Sequence, residues 1–219
     1  MEFNKFLRNN NGRGVIHSMT TIARDDPQLM SLMRRSLQGD QTAYTALYDQ
    51  FAPDVYRLAY SVLLHQQDAE DVVQEVFVYV FRNLARYDPT RGAFRTWLYT
   101  ITISRCRNAR RRKLLPMVAL NDLLALGLDP PGPKSDNPEL TSMRNDAHSM
   151  LAEGLKTLSP CLREAVALRY GQELTYREMG DILNIPPKTA ESRVRLAHQA
   201  LRKEMDEASL IPLLQEVFG

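Results

Sequence analysis

Between Ala69 and Leu84 the apolar residues Ala69, Val72, Val73, Val76, Phe77, Val80, Phe81 and Leu84 recur at alternate spacings of three and four, the period of one helix face. The opposite face carries Asp68, Asp71, Glu75 and Tyr79. A helix divided this way is stable only when other elements cover its apolar stripe. Tyr44, Leu47, Tyr48, Phe51, Val55, Leu58, Ala59 and Val62 supply a second stripe, with Pro53 a place for a kink or break. A third helix is expected to start near Phe94 and run through the arginine-rich segment. No strand-like alternation competes with these stripes, so the fold class is all-α.

Proline then divides the chain. Of its twelve prolines, four stand at 130, 131, 133 and 138, where they stop any helix and favour extended backbone. The 219 residues are therefore expected to form two small helical domains joined by a Pro-rich linker, the C-terminal one a helix-turn-helix. The expected division is a disordered lead over 1–24, a first domain over 25–115, the linker over 116–139, a second domain over 140–207 and a tail over 208–219. No apolar run approaches the roughly 18 residues of a membrane span, and Glu2, Lys5, Arg8 and Arg13 interrupt any secretory signal. Cys106 and Cys161 make no disulfide framework. His17, His65, His148 and His198 are scattered without metal-ligand spacing. A cytoplasmic protein without metal, cofactor or catalytic centre is expected.

The net charge of +2 conceals a strong asymmetry. Residues 91–113 hold Arg91, Arg95, Arg105, Arg107, Arg110, Arg111, Arg112 and Lys113 and no acid, whereas residues 66–80 hold Asp68, Glu70, Asp71 and Glu75 and no base. Residues 188–203 set Lys188, Arg193, Arg195, Arg202 and Lys203 against Glu191 alone. Two basic blocks point to two contacts with a polyanion, and the acidic block points to a different partner. Basic side chains next to Phe94, Trp97 and Tyr99 would suit unpaired nucleic acid, with bases stacking on exposed rings while cations follow the backbone; Trp97 is equally suited to the core.

In the C-terminal half, Ser159-Pro160 opens a helix as N-cap and first helical residue. Thr175-Tyr176-Arg177-Glu178 matches a capping box. The short helix it opens directs Met179, Ile182 and Leu183 inward. Asn184-Ile185-Pro186 turns the chain into a longer helix over about 187–203. A short helix, a tight turn and a basic helix form the pattern of a DNA-reading helix-turn-helix. Ala190, Val194, Ala197 and Leu201 are spaced four, three and four apart and should face the core. Lys188, Glu191, Ser192, Arg195 and Gln199 then point outward, with Arg193 at the flank. Lysine and arginine can donate to guanine, glutamate can accept from cytosine, and flanking arginines can neutralise phosphates.

Asp68 through Phe77, then Tyr87-Asp88-Pro89 through Phe94-Arg95-Thr96-Trp97-Leu98, resemble the second conserved region of bacterial sigma factors. Leu158-Ser159-Pro160, Leu168-Arg169-Tyr170, Leu174 through Met179 and Thr189 through Ala197 resemble the fourth. Only these two regions are present, which resembles the extracytoplasmic-function (ECF) group. The resemblance implies that Asp68, Asp71, Gln74 and Glu75 dock on the clamp helices of the largest subunit of core RNA polymerase. It implies that the loop from Asp88, with Arg91, Phe94, Arg95 and Trp97, captures a flipped base of the promoter −10 element, supported by Arg105, Arg107, Arg110 and Arg111. Lys188, Thr189, Glu191, Ser192, Arg193 and Arg195 would read duplex −35 DNA, and an anti-sigma factor would be a further partner. Three features depart from the family pattern: Pro186-Pro187 replaces a common serine N-cap, Glu191 stands where a basic residue is frequent, and Ser104 stands where asparagine is expected. A dimeric operator-binding regulator would leave the acidic and basic blocks without a role, and a helical nuclease would need a carboxylate or histidine cluster.

Overall fold

The computed structural model describes residues 26–125, 151, 153–202 and 211–214, with side chains described up to Lys113 in the first segment. Among the described residues there is no strand. The expected lead and most of the expected linker lie outside them. The N-terminal part comprises α1 (Pro27–Leu37), α2 (Gln41–Leu63), α3 (Gln66–Asn83) with a 3₁₀ turn (Leu84–Arg86), and α4 (Phe94–Ala125). Residues 116–125, at the start of the expected linker, continue α4.

Local chemistry sets the starts of these helices. Asp26 caps α1 by accepting from the Leu29 amide at 2.8 Å, with Pro27 in the first turn. Asp40 caps α2 through the Thr42 amide at 2.9 Å and the Ala43 amide at 3.3 Å. Pro53 lies within α2 without ending it. Leu64 closes α2 in the left-handed region at φ 53°, a costly conformation for a side chain of its size. The stripes expected on α2 and α3 are buried, although Tyr44, Tyr48 and Phe81 are only partly covered.

The C-terminal part holds a helical stretch over residues 153–157, α5 (Pro160–Val166) running into a wider π turn (Ala167–Gly171), α6 (Tyr176–Leu183) and α7 (Pro187–Leu201). Pro160 occupies the first turn of α5 as expected, but the Ser159 side chain makes no capping bond. The Thr175 capping box is complete: its hydroxyl accepts from the Glu178 amide at 3.3 Å, and its own amide donates to the Glu178 carboxylate at 2.8 Å. Residues 211–214 turn back so that Leu214 is fully buried with Leu151, Leu155, Leu158, Val166, Ala197 and Leu201.

The two parts pack on each other. α6 lies against α4, while α5 and the π turn lie against α2. One continuous buried cluster includes Leu47, Phe51 and Leu98 from the first part and Leu168, Met179 and Ile182 from the second.

Candidate nucleic-acid interface

The helix-turn-helix follows from three local constraints. Gly180 lets the turn approach α6 closely: a Cβ there would stand 2.8 Å from the Ile185 carbonyl oxygen. Asn184 takes the left-handed conformation at φ 55° and ψ 53°, which asparagine tolerates better than most residues. The Ile185 amide donates to the Gly180 carbonyl at 3.0 Å. Pro186 and Pro187 then open α7, with the amides of Thr189 and Ala190 donating to the Pro186 carbonyl at 2.9 and 3.2 Å. Pro187 thus sits in the first turn, where its missing N–H costs nothing.

α7 is divided as its spacing implies. Ala190, Val194, Ala197 and Leu201 are buried. Lys188, Glu191, Arg195 and Gln199 are exposed, and Thr189, Ser192 and Arg193 lie at the half-buried margins. Among the described residues no hydrogen bond or ion pair occupies Lys188, Glu191 or Arg195, so the solvent face presents two cations and a carboxylate with free donors and acceptors.

The loop before α4 is ordered by its own side chains. Asp88 accepts from the Thr90 amide at 2.9 Å and hydroxyl at 2.7 Å; these bonds hold its carboxyl below the usual range. Tyr87 donates to the Gly92 carbonyl at 2.9 Å. Tyr87, Phe94 and Trp97 form an aromatic cluster with ring centroids 5.5–5.8 Å apart. The aromatics of this segment are not the exposed stacking platform expected. Phe94 and Tyr99 are buried because they fall on the core face of α4, while Trp97 is partly covered and reaches the surface. A cleft of about 1220 Å³ lies between this loop and the helix-turn-helix, lined by Arg86, Asp88, Arg91 and Trp97 on one side and Thr175, Arg177, Asp181 and Asn184 on the other.

The arginines of α4 are largely engaged. Arg95 pairs with Asp54 at 2.6 Å, and Asp54 also holds Arg57 at 2.6 Å. Arg105 lies over the Tyr79 ring at 5.0 Å. Arg107 makes a two-pronged contact with Glu164, its Nη2 at 2.7 Å and Nε at 3.1 Å, and Arg110 stands 3.4 Å from the same carboxylate. Donating these hydrogen bonds to the Glu164 carboxylate raises the pKa of Arg107 above its already high value. Arg91 and Arg111 are exposed, Arg111 bonding Asn108.

The acidic face of α3 is split. Asp71 and Gln74 are exposed, whereas Asp68 pairs with Lys113 at 2.5 Å and Glu75 with Arg112 at 2.8 Å. Periodicity missed Asp54 and Glu164, because each is polar on its own helix and acquires its role only from a distant arginine. Among the described residues no group of three or more histidine, cysteine, aspartate or glutamate side chains is arranged to hold a metal ion, and no described helix is long and apolar enough to cross a membrane.

A helix-turn-helix with an open polar face, packed on a helical domain whose acidic helix meets its basic helix through Asp68–Lys113 and Glu75–Arg112, has the architecture of a helical DNA-binding protein. The family model for Sigma-70 region 2 matches residues 47–114, and that for Sigma-70, region 4 matches residues 154–203. The ECF RNA polymerase sigma factor SigK of Mycolicibacterium vanbaalenii is 33% identical over 176 residues, covering 80% of this chain and 88% of that protein. SigW of Bacillus subtilis, also an ECF RNA polymerase sigma factor, is 29% identical over 180 residues, covering 77% and 91%. Two solved structures share the fold. CnrH in complex with the cytosolic domain of CnrY has a TM-score of 0.57 at 22% identity, covering 81% of this chain and 96% of that one. The sigma factor RpoE in complex with the anti-sigma factor NepR from Bartonella quintana has a TM-score of 0.55 at 21% identity, covering 73% and 94%. The chain belongs to the ECF RNA polymerase sigma factors and carries sigma regions 2 and 4.

Proposed function

We propose that this sigma factor directs core RNA polymerase to promoters by reading duplex −35 DNA with α7 and holding melted −10 DNA at the loop over residues 88–97 and α4. The observation that carries this reading is the outward face of α7: Lys188, Glu191 and Arg195 are exposed and without partners among the described residues, above a buried Ala190-Val194-Ala197-Leu201 stripe. Lys188 and Arg195 supply major-groove donors and Glu191 an acceptor, so the face can discriminate bases as well as attract phosphate. Thr189, Ser192 and Arg193, half-buried at its margins, would flank it and contact the phosphates.

On the N-terminal side, Asp88, Arg91 and Trp97 line a cleft large enough for an unstacked base, whose extraction costs a few kcal/mol. Phe94 supports that loop from the core and Arg95 braces it through Asp54. Arg105, Arg107, Arg110 and Arg111 would follow the opened backbone. Asp71 and Gln74, exposed on α3, together with Asp68 and Glu75, would meet the clamp helices of the polymerase largest subunit. The chain supplies specificity and binding energy, and bond-making stays with the polymerase. The complex of RpoE with the anti-sigma factor NepR supports such a partner here, and on this reading it would cover α3 and the C-terminal domain together.

The test is run-off transcription with purified core polymerase on promoters selected from a genomic library. Discrete start sites that require this protein establish the role, and Lys188→Ala with Arg195→Ala should then abolish initiation at promoters that depend on the −35 element. Duplex binding without any change in where core polymerase starts would refute it in favour of a dimeric regulator.

A further inference from the structure

We propose that the cavity at the junction of α2 and α3 binds a small molecule carrying a pyrophosphate, gripped by Arg110, Lys113, Lys156 and Arg163. This goes beyond the promoter reading above and does not depend on it.

The cavity has a volume of about 430 Å³, within the range of small-molecule sites. Four cations line it against one carboxylate, Asp68. Arg110 and Lys113 stand three residues apart on one face of α4, Lys156 lies in the helical stretch over 153–157, and Arg163 lies on α5. Three separate segments thus deliver positive charge to one recess. His65 accepts from the Asp68 amide at 3.3 Å and caps α3 there, so the positive end of that helix dipole adds to the field. Leu63 and Leu64 give the recess an apolar wall.

Arg163 is the group that marks this recess for an anion. Half-buried, it bonds the carbonyls of Leu155, Val62, Lys156 and Leu158, which leaves an N–H of Nη1 uncommitted. Among the described residues no carboxylate pairs with it. Burial, and then the like charge of Arg110, lowers its pKa, yet a guanidinium stays charged. Two cations held together without a counterion repel each other, and an entering anion would remove that cost. The remaining cations have donors to spare. Arg110 touches Glu164 through Nη1 alone at 3.4 Å, while Lys113 meets Asp68 and Lys156 meets Glu153 through one contact each. Both lysines are exposed, where such pairs contribute little and exchange readily for phosphate oxygens. Four cations exceed what a single carboxylate neutralises and suit a polyanion with several oxygens. The apolar wall suits an organic group attached to it.

The test is calorimetric titration of the full chain with sodium pyrophosphate at fixed ionic strength. Wild type should show one saturable event and a raised melting temperature, with sulfate weaker by about tenfold or more. Lys156→Glu and Arg163→Gln should each weaken pyrophosphate about tenfold, the loss of one charge-assisted hydrogen bond. Arg195→Ala, which removes a cation of α7 outside the cavity, should bind as wild type does. Circular dichroism checks that each variant folds. Should Arg163→Gln not fold, Lys156→Glu decides, because Lys156 is exposed. ADP and adenosine separate the sources of the chemistry. ADP binding tighter than pyrophosphate identifies a nucleotide, and equal binding identifies the oligophosphate itself. No saturable heat with no rise in melting temperature, sulfate matching pyrophosphate, or adenosine matching ADP would each overturn the site. So would Lys156→Glu binding as wild type, or Arg195→Ala weakening pyrophosphate as much as the cavity variants do.

Discussion

Replacing Gly180 with alanine places a methyl group 2.8 Å from the Ile185 carbonyl oxygen and 3.4 Å from the Pro187 nitrogen. Neither atom can retreat easily. Ile185 is held by the hydrogen bond its amide donates to the Gly180 carbonyl at 3.0 Å, and the Pro186 carbonyl is fixed by the amides of Thr189 and Ala190. Asn184 before them is confined to φ 55°. Two effects oppose each other. Alanine gains up to about 1 kcal/mol in helix propensity over glycine, whereas overpacking against an unyielding neighbour costs up to about 3 kcal/mol. The close contact with backbone favours the upper cost, leaving a loss of about 2 kcal/mol. For a chain of this size that lowers the melting temperature by about 4–8 °C, read by circular dichroism. Gly92→Ala, where nothing stands within 4 Å of the added carbon, is the control and should leave the melting curve nearly unchanged. Displacing the turn also tilts α7, so Gly180→Ala should weaken duplex binding. An unchanged or raised melting temperature for Gly180→Ala would show that the turn yields, and the reasoning from a pinned backbone would fail.

Thr175→Ala removes the hydroxyl half of the capping box on α6, leaving the residue-175 amide on the Glu178 carboxylate, and should cost about 1 kcal/mol, a fall of about 2–4 °C in the same melt, with Thr175→Ser close to wild type. Asp40 offers a pH-dependent counterpart. The Thr42 hydroxyl bond, then Arg35, lowers its carboxyl from the ordinary 3.8 to about 2. The folded value is depressed, so the stabilisation is complete above the unfolded pKa and is lost as pH falls from about 4 towards 2. Thr42→Val should move the Asp40 carboxyl back towards 3.8 in an NMR titration; an unmoved titration would show that the Thr42 side chain is not the cause.

The local character of each helix was legible along the chain because burial of a helix face leaves a periodic trace in neighbouring residues. The stripe on α3, the inward Ala190-Val194-Ala197-Leu201 row, the Thr175 capping box and the turn at Asn184 all follow from residues within a few positions of one another. Each involves backbone bonds, a local side-chain cap or covered apolar groups that short-range spacing dictates. The charge blocks were equally visible, since a run of arginines needs no neighbours to be counted. Their pairing was not visible. Nothing near Glu164 marks it as the carboxylate that would meet Arg107 and Arg110, and nothing near Asp54 marks it as the partner of Arg95. Periodicity also failed to separate Phe94 and Tyr99 from Trp97, because which side of an arginine-rich helix is covered depends on what packs there. An ion pair across dozens of residues depends on how two helices cross, and that crossing is set by the packing of all their side chains at once. Sequence alone therefore determined which helices form and which faces they hide, whereas the tertiary structure decided which charges remain free to meet a partner.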